Sequence, residues 1–208
     1  MFPFTELRSR TVVLRDRNID TDRIIPARFL TTTGRTGLGR HAFNDWRVRA
    51  DGSIDPSFAF NDPANDGARI LVAGRNFGCG SSREHAAWAL VDLGLRVVIS
   101  AEIADIFRSN ALKNGLLPVV LEEAVVDELL DNPGIELRVD VEQCRVTLPD
   151  SRSFAFPLDA FARTCLLEGV DQLGYLLRQS PAIDHYEASR QRLADTPALP
   201  QHEVRHAC

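Results

Sequence analysis

One stretch gathers side chains able to do chemistry: GRNFGCGSSREHAAWAL, from Gly74 to Leu90, passes through Cys79, Ser81, Ser82, Arg83 and Glu84 into an apolar helical pattern. Gly78 and Gly80 allow positive φ, or close approach of backbone to a ligand. A serine at a helix N-terminus lies among free N–H donors and positive potential, which favour an anion. Beside Arg83, with its planar fork, such a serine can have its alkoxide stabilised or share those donors with a substrate carboxylate. Ser81 to Glu84 also reads S-x-x-E, a capping box in which Ser81 binds backbone amides and Glu84 folds back. Both readings fit the spacing. Cys79 is a candidate thiolate nucleophile, although a small buried cysteine is commoner. His85 completes no Ser-His-Asp order.

Familiar glycine motifs do not fit. A dinucleotide fingerprint starting at Gly78 needs a glycine where Arg83 stands, and no Gly-Lys-Ser/Thr of a P-loop follows. G-x-S-x-G suits neither serine.

The elements around the junction follow from periodicity. ARILVAG before it is a continuous apolar strand, and SREHAAWALVDLG after it an amphipathic helix. RVVISA, EIADIFRSNALKNG, LLPVVL and EEAVVDELLDNPG continue the alternation, which predicts β-α-β crossovers and a partly parallel sheet. The junction therefore lies beyond the carboxyl end of a buried strand, where open α/β sheets place ligands. IELRVDVEQCRVTLPDSRSFAFPL alternates apolar and polar residues as antiparallel strands do, and DAFARTCLLEGVDQLGYLLR predicts a closing helix. TVVLRD, at Thr11 to Asp16, reads as an early strand.

The 208 residues, 44% hydrophobic and 25% charged, predict an ordinary globular fold. A net charge of -5 and the lack of a dense basic run argue against nucleic acid. No stretch reads as a signal-peptide core or membrane span, so a cytoplasmic protein is expected. Cys79, Cys144, Cys165 and Cys208 are scattered, matching neither a disulfide framework nor a metal ligand set. No metal is expected on this chain.

NFGCGSSREHAAWAL, SAEIADIFRSNALKNGLLPV, DTDRIIPARFL and RTGLGRHAFNDWR together resemble the small-subunit family of bacterial 3-isopropylmalate dehydratase, homologous to aconitase's mobile fourth domain. The resemblance runs from about Val12 to about Tyr186. It implies an α/β fold, a three-layer β/β/α swivelling domain with mixed parallel and antiparallel strands. A single domain is expected over 1–194, with a long substrate-recognition loop near 27–68 and a flexible tail over 195–208. The resemblance also implies a partner, a large subunit carrying a 4Fe-4S cluster. Together the subunits would interconvert 2-isopropylmalate and 3-isopropylmalate through isopropylmaleate, in leucine biosynthesis.

By the same resemblance Ser81 falls on the catalytic base, Ser82 and Arg83 on its substrate-binding neighbours, and Thr21 and Asp22 on an active-site Thr-Asp pair. The specificity loop is Ala27 to Gly37. Within it Phe29 and Leu30 are the apolar candidates for the isopropyl arm, and Arg35 is at odds with an apolar pocket. Cys79 stands where aconitase has glutamate, though cysteine is usual in this subunit family. Dehydrating a malate needs a base for the carbon-bound proton and a Lewis acid for the departing hydroxyl. This chain offers only the first, so the site should be shared between subunits. The alternatives are a related hydro-lyase subunit acting on citramalate or dimethylmalate, a non-catalytic scaffold, and a cysteine hydrolase using Cys79.

Overall fold

The apolar runs become strands β1 (Glu6–Leu14), β2 (Ile70–Ala73), β3 (Val97–Ser100), β4 (Leu117–Val120), β5 (Glu136–Asp140), β6 (Arg145–Thr147) and β7 (Ser153–Ala155). The computed structural model describes residues 3–30 and 34–194. Thr31 to Thr33 of the expected recognition loop and the expected tail over 195–208 lie outside the described residues.

The strands form one sheet in the order β4-β3-β2-β1-β5-β6-β7. β1 divides its length between two kinds of pairing. Thr11 to Leu14 pairs in parallel with Ile70 to Ala73, whereas Glu6 to Arg10 pairs antiparallel with Asp140 to Glu136. The parallel half continues through β2, β3 and β4, and the antiparallel half through β5, β6 and β7. This is the mixed α/β architecture expected from the change of period.

The helices are α1 (Thr21–Ile24), α2 (Asn44–Arg47), α3 (Glu84–Asp92), α4 (Asp105–Lys113), α5 (Glu123–Asp131), α6 (Ala160–Glu168), α7 (Gln172–Arg178) and α8 (Ser180–Ala194). Because side chains alternate along a strand, the parallel half feeds two cores. Leu71, Ala73 and Val98 join Ala86, Ala89 and Leu90 of α3 and Phe107 and Ala111 of α4. Ile70, Val72, Val97 and Ile99 join Val125, Val126 and Leu129 of α5, together with Leu137, Val139 and Val146 of the antiparallel strands. The sheet is thus covered by α3 and α4 on one face, while α5 and the antiparallel strands close the core on the other.

One sequence expectation needs refinement. The closing helix is interrupted at Gly169, which caps α6 with φ 68 in the left-handed region. The chain also divides into two compact units, Met1–Asp171 and Gln172–Cys208, so α7 and α8 form the described part of the second. The segment after residue 33 is built from α2 and short 3-10 turns at Gly39–His41, Ala59–Asn61 and Pro63–Asn65. Asn61 pins it, its amide donating to the carbonyls of Arg47 and Asp55, both at 2.8 Å. Phe43, Trp46, Phe58 and Phe60 fill its interior with ring contacts.

Candidate active site

Beyond β2 the chain threads between the segments that leave β1 and β3. Gly78 N–H donates to the Ile19 carbonyl at 2.7 Å, and Thr21 N–H donates to the Cys79 carbonyl at 2.9 Å. On the other side Phe77 N–H reaches the Glu102 carbonyl at 3.0 Å, and Ala104 N–H the Phe77 carbonyl at 2.9 Å. The backbone here is held on both edges. Gly78 is required: its φ is 74, and a Cβ on it would lie 2.3 Å from Cγ of Phe107. Gly80, at φ 90, then turns the chain out to Ser81.

Four of the expected residues meet at this turn. Thr21 is buried, and its Oγ1 donates to the Ser81 carbonyl at 3.0 Å. Arg83 N–H donates to the same carbonyl at 2.8 Å, and the Arg83 guanidinium pairs with Asp22. Asp20 accepts from Arg23 N–H at 2.7 Å and caps α1, fixing Thr21 and Asp22 in its first turn. The side chains of Ser81 and Ser82 stay exposed at the rim. The result is a serine pinned through its carbonyl, with its hydroxyl free to face a ligand, beside an arginine oriented by a carboxylate.

The capping box does not form. The N-cap of α3 is Arg83, in extended backbone and without a side-chain cap, so Ser81 stands two residues outside the helix. Glu84 turns elsewhere instead, accepting from Asn114 Nδ2 of α4's C-cap at 2.8 Å and from Trp88 Nε1, one turn on in α3, at 3.3 Å. The Asn114 amide, seconded by Trp88 and by the positive charge of Arg35, holds the Glu84 carboxyl below its ordinary range. The nucleophile reading of Cys79 weakens as well. Burial, with the negative charge of Asp20, pushes its thiol up, away from the thiolate. His85 rests near Trp88, ring centroids 4.5 Å apart.

The residues expected to read the substrate arm lie on separate contacts. Phe29 stacks on His41, centroids 4.1 Å apart and planes within 11°, and the Arg28 guanidinium lies over the Phe29 ring, 4.6 Å from its centroid, while pairing with Asp45. Leu30 packs half-buried against the core cluster that includes Ile24, Ile25 and Phe43. Arg35 rests its guanidinium over Trp88, 5.3 Å from the ring centroid. His41, Asp45, Trp88 and Asn114 were not singled out from the sequence. The first two lie within RTGLGRHAFNDWR and Trp88 within the junction motif, so the motif boundaries were the available signal.

Among the described residues no group of three or more His, Cys, Asp or Glu side chains gathers as a metal site. The described cysteines do not form a cluster ligand set. No described helix is long and apolar enough to cross a membrane.

Comparison with known proteins adds an independent line. A family model described as the aconitase C-terminal domain matches residues 1–124, and one described as LeuD_N matches 123–160. The 3-isopropylmalate dehydratase small subunit of Anaeromyxobacter dehalogenans is 60% identical over 190 residues, covering 91% of this chain and all of the relative. That of Chloroflexus aurantiacus is 54% identical, covering 91% and 96%. The crystal structure of 3-isopropylmalate dehydratase (leuD) from Methanocaldococcus jannaschii superposes with a TM-score of 0.65 at 26% identity, covering 87% of this chain and 99% of that one. With the sheet, the threaded junction and the Thr21, Asp22, Ser81 and Arg83 group beside these likenesses, the chain belongs to the 3-isopropylmalate dehydratase small-subunit family, within the aconitase C-terminal domains.

Proposed function

We propose that the chain is the small subunit of a hydro-lyase that interconverts 2-isopropylmalate and 3-isopropylmalate through isopropylmaleate, in cytoplasmic leucine biosynthesis. The observation that carries this reading is the convergence of Thr21 and Asp22 on the Ser81 to Arg83 turn. A substituted malate brings two carboxylates and one acidic carbon. Arg83 binds a carboxylate through its fork, kept in place by Asp22, which shares the guanidinium. Ser82 adds a hydroxyl contact. Ser81 removes the carbon-bound proton, and the Thr21 hydrogen bond to its carbonyl holds the hydroxyl in register with the substrate. The stretch near 27–68 serves as the recognition loop, with Phe29 and Leu30 toward the isopropyl arm.

The Lewis acid for the departing hydroxyl belongs to the partner, where a 4Fe-4S cluster on the large subunit would supply it. Co-expression with a cluster-bearing large subunit, followed by assay on isopropylmalate and citramalate, tests the partner and the substrate together. Turnover of isopropylmalate only in the presence of both subunits is the expected result. Preference for citramalate would move the reading to a related hydro-lyase. Ser81→Ala should lower kcat by the roughly 10²–10⁴-fold typical of general acid–base catalysis, with folding and association intact. Near-normal turnover in that variant would remove Ser81 from the chemistry.

A further inference from the structure

The first helix after the catalytic turn carries a stripe that the mechanism does not use. Glu84, Trp88 and Asp92 recur every four residues on α3 and so share one face. Each engages a partner from elsewhere. Glu84 is anchored by Asn114 at the C-terminal end of α4. Trp88 offers its ring to the Arg35 guanidinium at 5.3 Å. Asp92 accepts Gly39 N–H at 2.7 Å, and the backbones meet so closely there that a Cβ on Gly39 would lie 2.5 Å from Leu93 N. Arg35 and Gly39 are four residues apart, as are their helix partners Trp88 and Asp92. The far stem of the recognition loop therefore runs along α3, in the same direction, for one turn of the helix.

We propose, on the functional reading above, that Trp88 is a positioning residue for substrate specificity: it holds Arg35 by its cation against α3 and so fixes the far stem of the expected loop, from Gly34 to Gly39, relative to Ser81. One rigid helix then carries the catalytic turn at its N-terminus and the loop stem on its side, which couples where the arm is read to where the proton is removed. The same contact answers the presence of a cation in a loop that must accept an isopropyl group. A free guanidinium would favour a substrate arm ending in a carboxylate. Lying over the Trp88 ring, it is held by protein instead. Replacing Trp88 by an aliphatic residue releases that charge.

Two measurements decide the matter. In the isolated chain, Arg35→Ala should change the emission and acrylamide quenching of tryptophan fluorescence, and the change should vanish in a Trp88→Phe background, which leaves only Trp46. In the enzyme assembled with its large subunit, Trp88→Leu should raise KM for isopropylmalate by about three- to thirtyfold, the equivalent of losing one cation–π contact, with kcat within about twofold. The preference for isopropylmalate over isocitrate, whose corresponding arm is a carboxymethyl group, should fall. Trp88→Tyr should restore most of the loss, and Arg35→Ala combined with Trp88→Leu should cost no more than the worse single change. Unaltered fluorescence in Arg35→Ala overturns the contact. Equal losses on every substrate together with a lowered Tm overturn the specificity role and leave Trp88 a packing residue. If the assembled wild-type enzyme turns over no malate at all, the functional reading fails separately, and the fluorescence result still decides whether Arg35 rests on Trp88.

Discussion

The turn from Gly74 to Arg83 and the stems of the proposed recognition loop, around Arg28 to Phe29 and Gly34 to Asp45, are held by different forces. The turn is held by backbone. Its N–H and carbonyl groups pair with the segments leaving β1 and β3, and two of its glycines admit neighbours that no side chain would. The loop stems are held by side chains: Arg28 on Asp45, Phe29 on His41, Arg35 on Trp88. Backbone pairing is indifferent to residue identity, so the turn can keep one geometry across a family. Side-chain contacts are rewritten by single substitutions, which suits the role proposed for these stems, reading a variable substrate arm.

The comparison breaks first at Gly78. An alanine there meets Phe107 and must also hold a positive φ, two penalties that together should cost about 2–4 kcal/mol. Calorimetry should show Tm lower by roughly 5–15 °C for a chain of this size, with turnover reduced because the Ser81 carbonyl loses its fixed position. A Gly78→Ala chain as stable as the parent would mean that the turn yields easily and is not the rigid half.

How much of this was legible in the sequence differs between the two regions in the same way. The strands ILVA, VVIS and LPVV and the helices between them follow from apolar runs and period, because burial on both faces leaves a local trace. The grouping of Thr21 and Asp22 with Ser81 and Arg83 came from the family resemblance, since sixty residues of chain separate them and no periodicity joins them. The start of α3 is ambiguous in the sequence because S-x-x-E satisfies a capping box, and the competition for Glu84 from the distant Asn114, with Trp88 one turn on, decides against it. The Arg35 stack on Trp88 left no local signal: a cation and an indole far apart in sequence meet only once the fold brings α3 beside the loop. The interruption at Gly169 was visible as a glycine but was outweighed by the helical residues on both sides of it.

Leu30 sharpens the comparison from the other side. It packs half-buried at the margin of the core, so it can read the isopropyl arm, hold the loop, or both. If it reads the arm, Leu30→Ala should reduce kcat/KM for isopropylmalate by about 1–3 kcal/mol, the range for lost methylene contacts. Citramalate, with its smaller arm, should lose much less, and Tm should barely move. Equal losses on both substrates with a lowered Tm would assign Leu30 to holding the loop.

The smallest effect is expected at Asp45, and its sign tests whether side-chain anchoring is electrostatic. The hydrogen bond from Arg28, assisted by its positive charge, holds the Asp45 carboxyl below its ordinary range against a small opposing effect of burial. A carboxyl depressed in the folded state contributes stability that is present above its unfolded value and disappears as pH falls through the folded one. Both partners are substantially exposed, at 53% and 45% of their side-chain surface, so solvent screening reduces the contribution to that of a surface pair. Asp45→Asn should therefore lower Tm by no more than about 1–3 °C at neutral pH. The difference from the parent should close only as pH falls well below the ordinary carboxylate range, where the parent's own depressed carboxyl becomes protonated, and should shrink in about 1 M salt. Because Arg28 also lies over Phe29, the freed guanidinium should loosen that end of the recognition loop and raise KM for isopropylmalate more than it lowers Tm would suggest. A Tm difference that persists unchanged into acid would show that Asp45 acts through packing or its contacts in α2, and that this stem, unlike the Arg35 stem, is not held by charge.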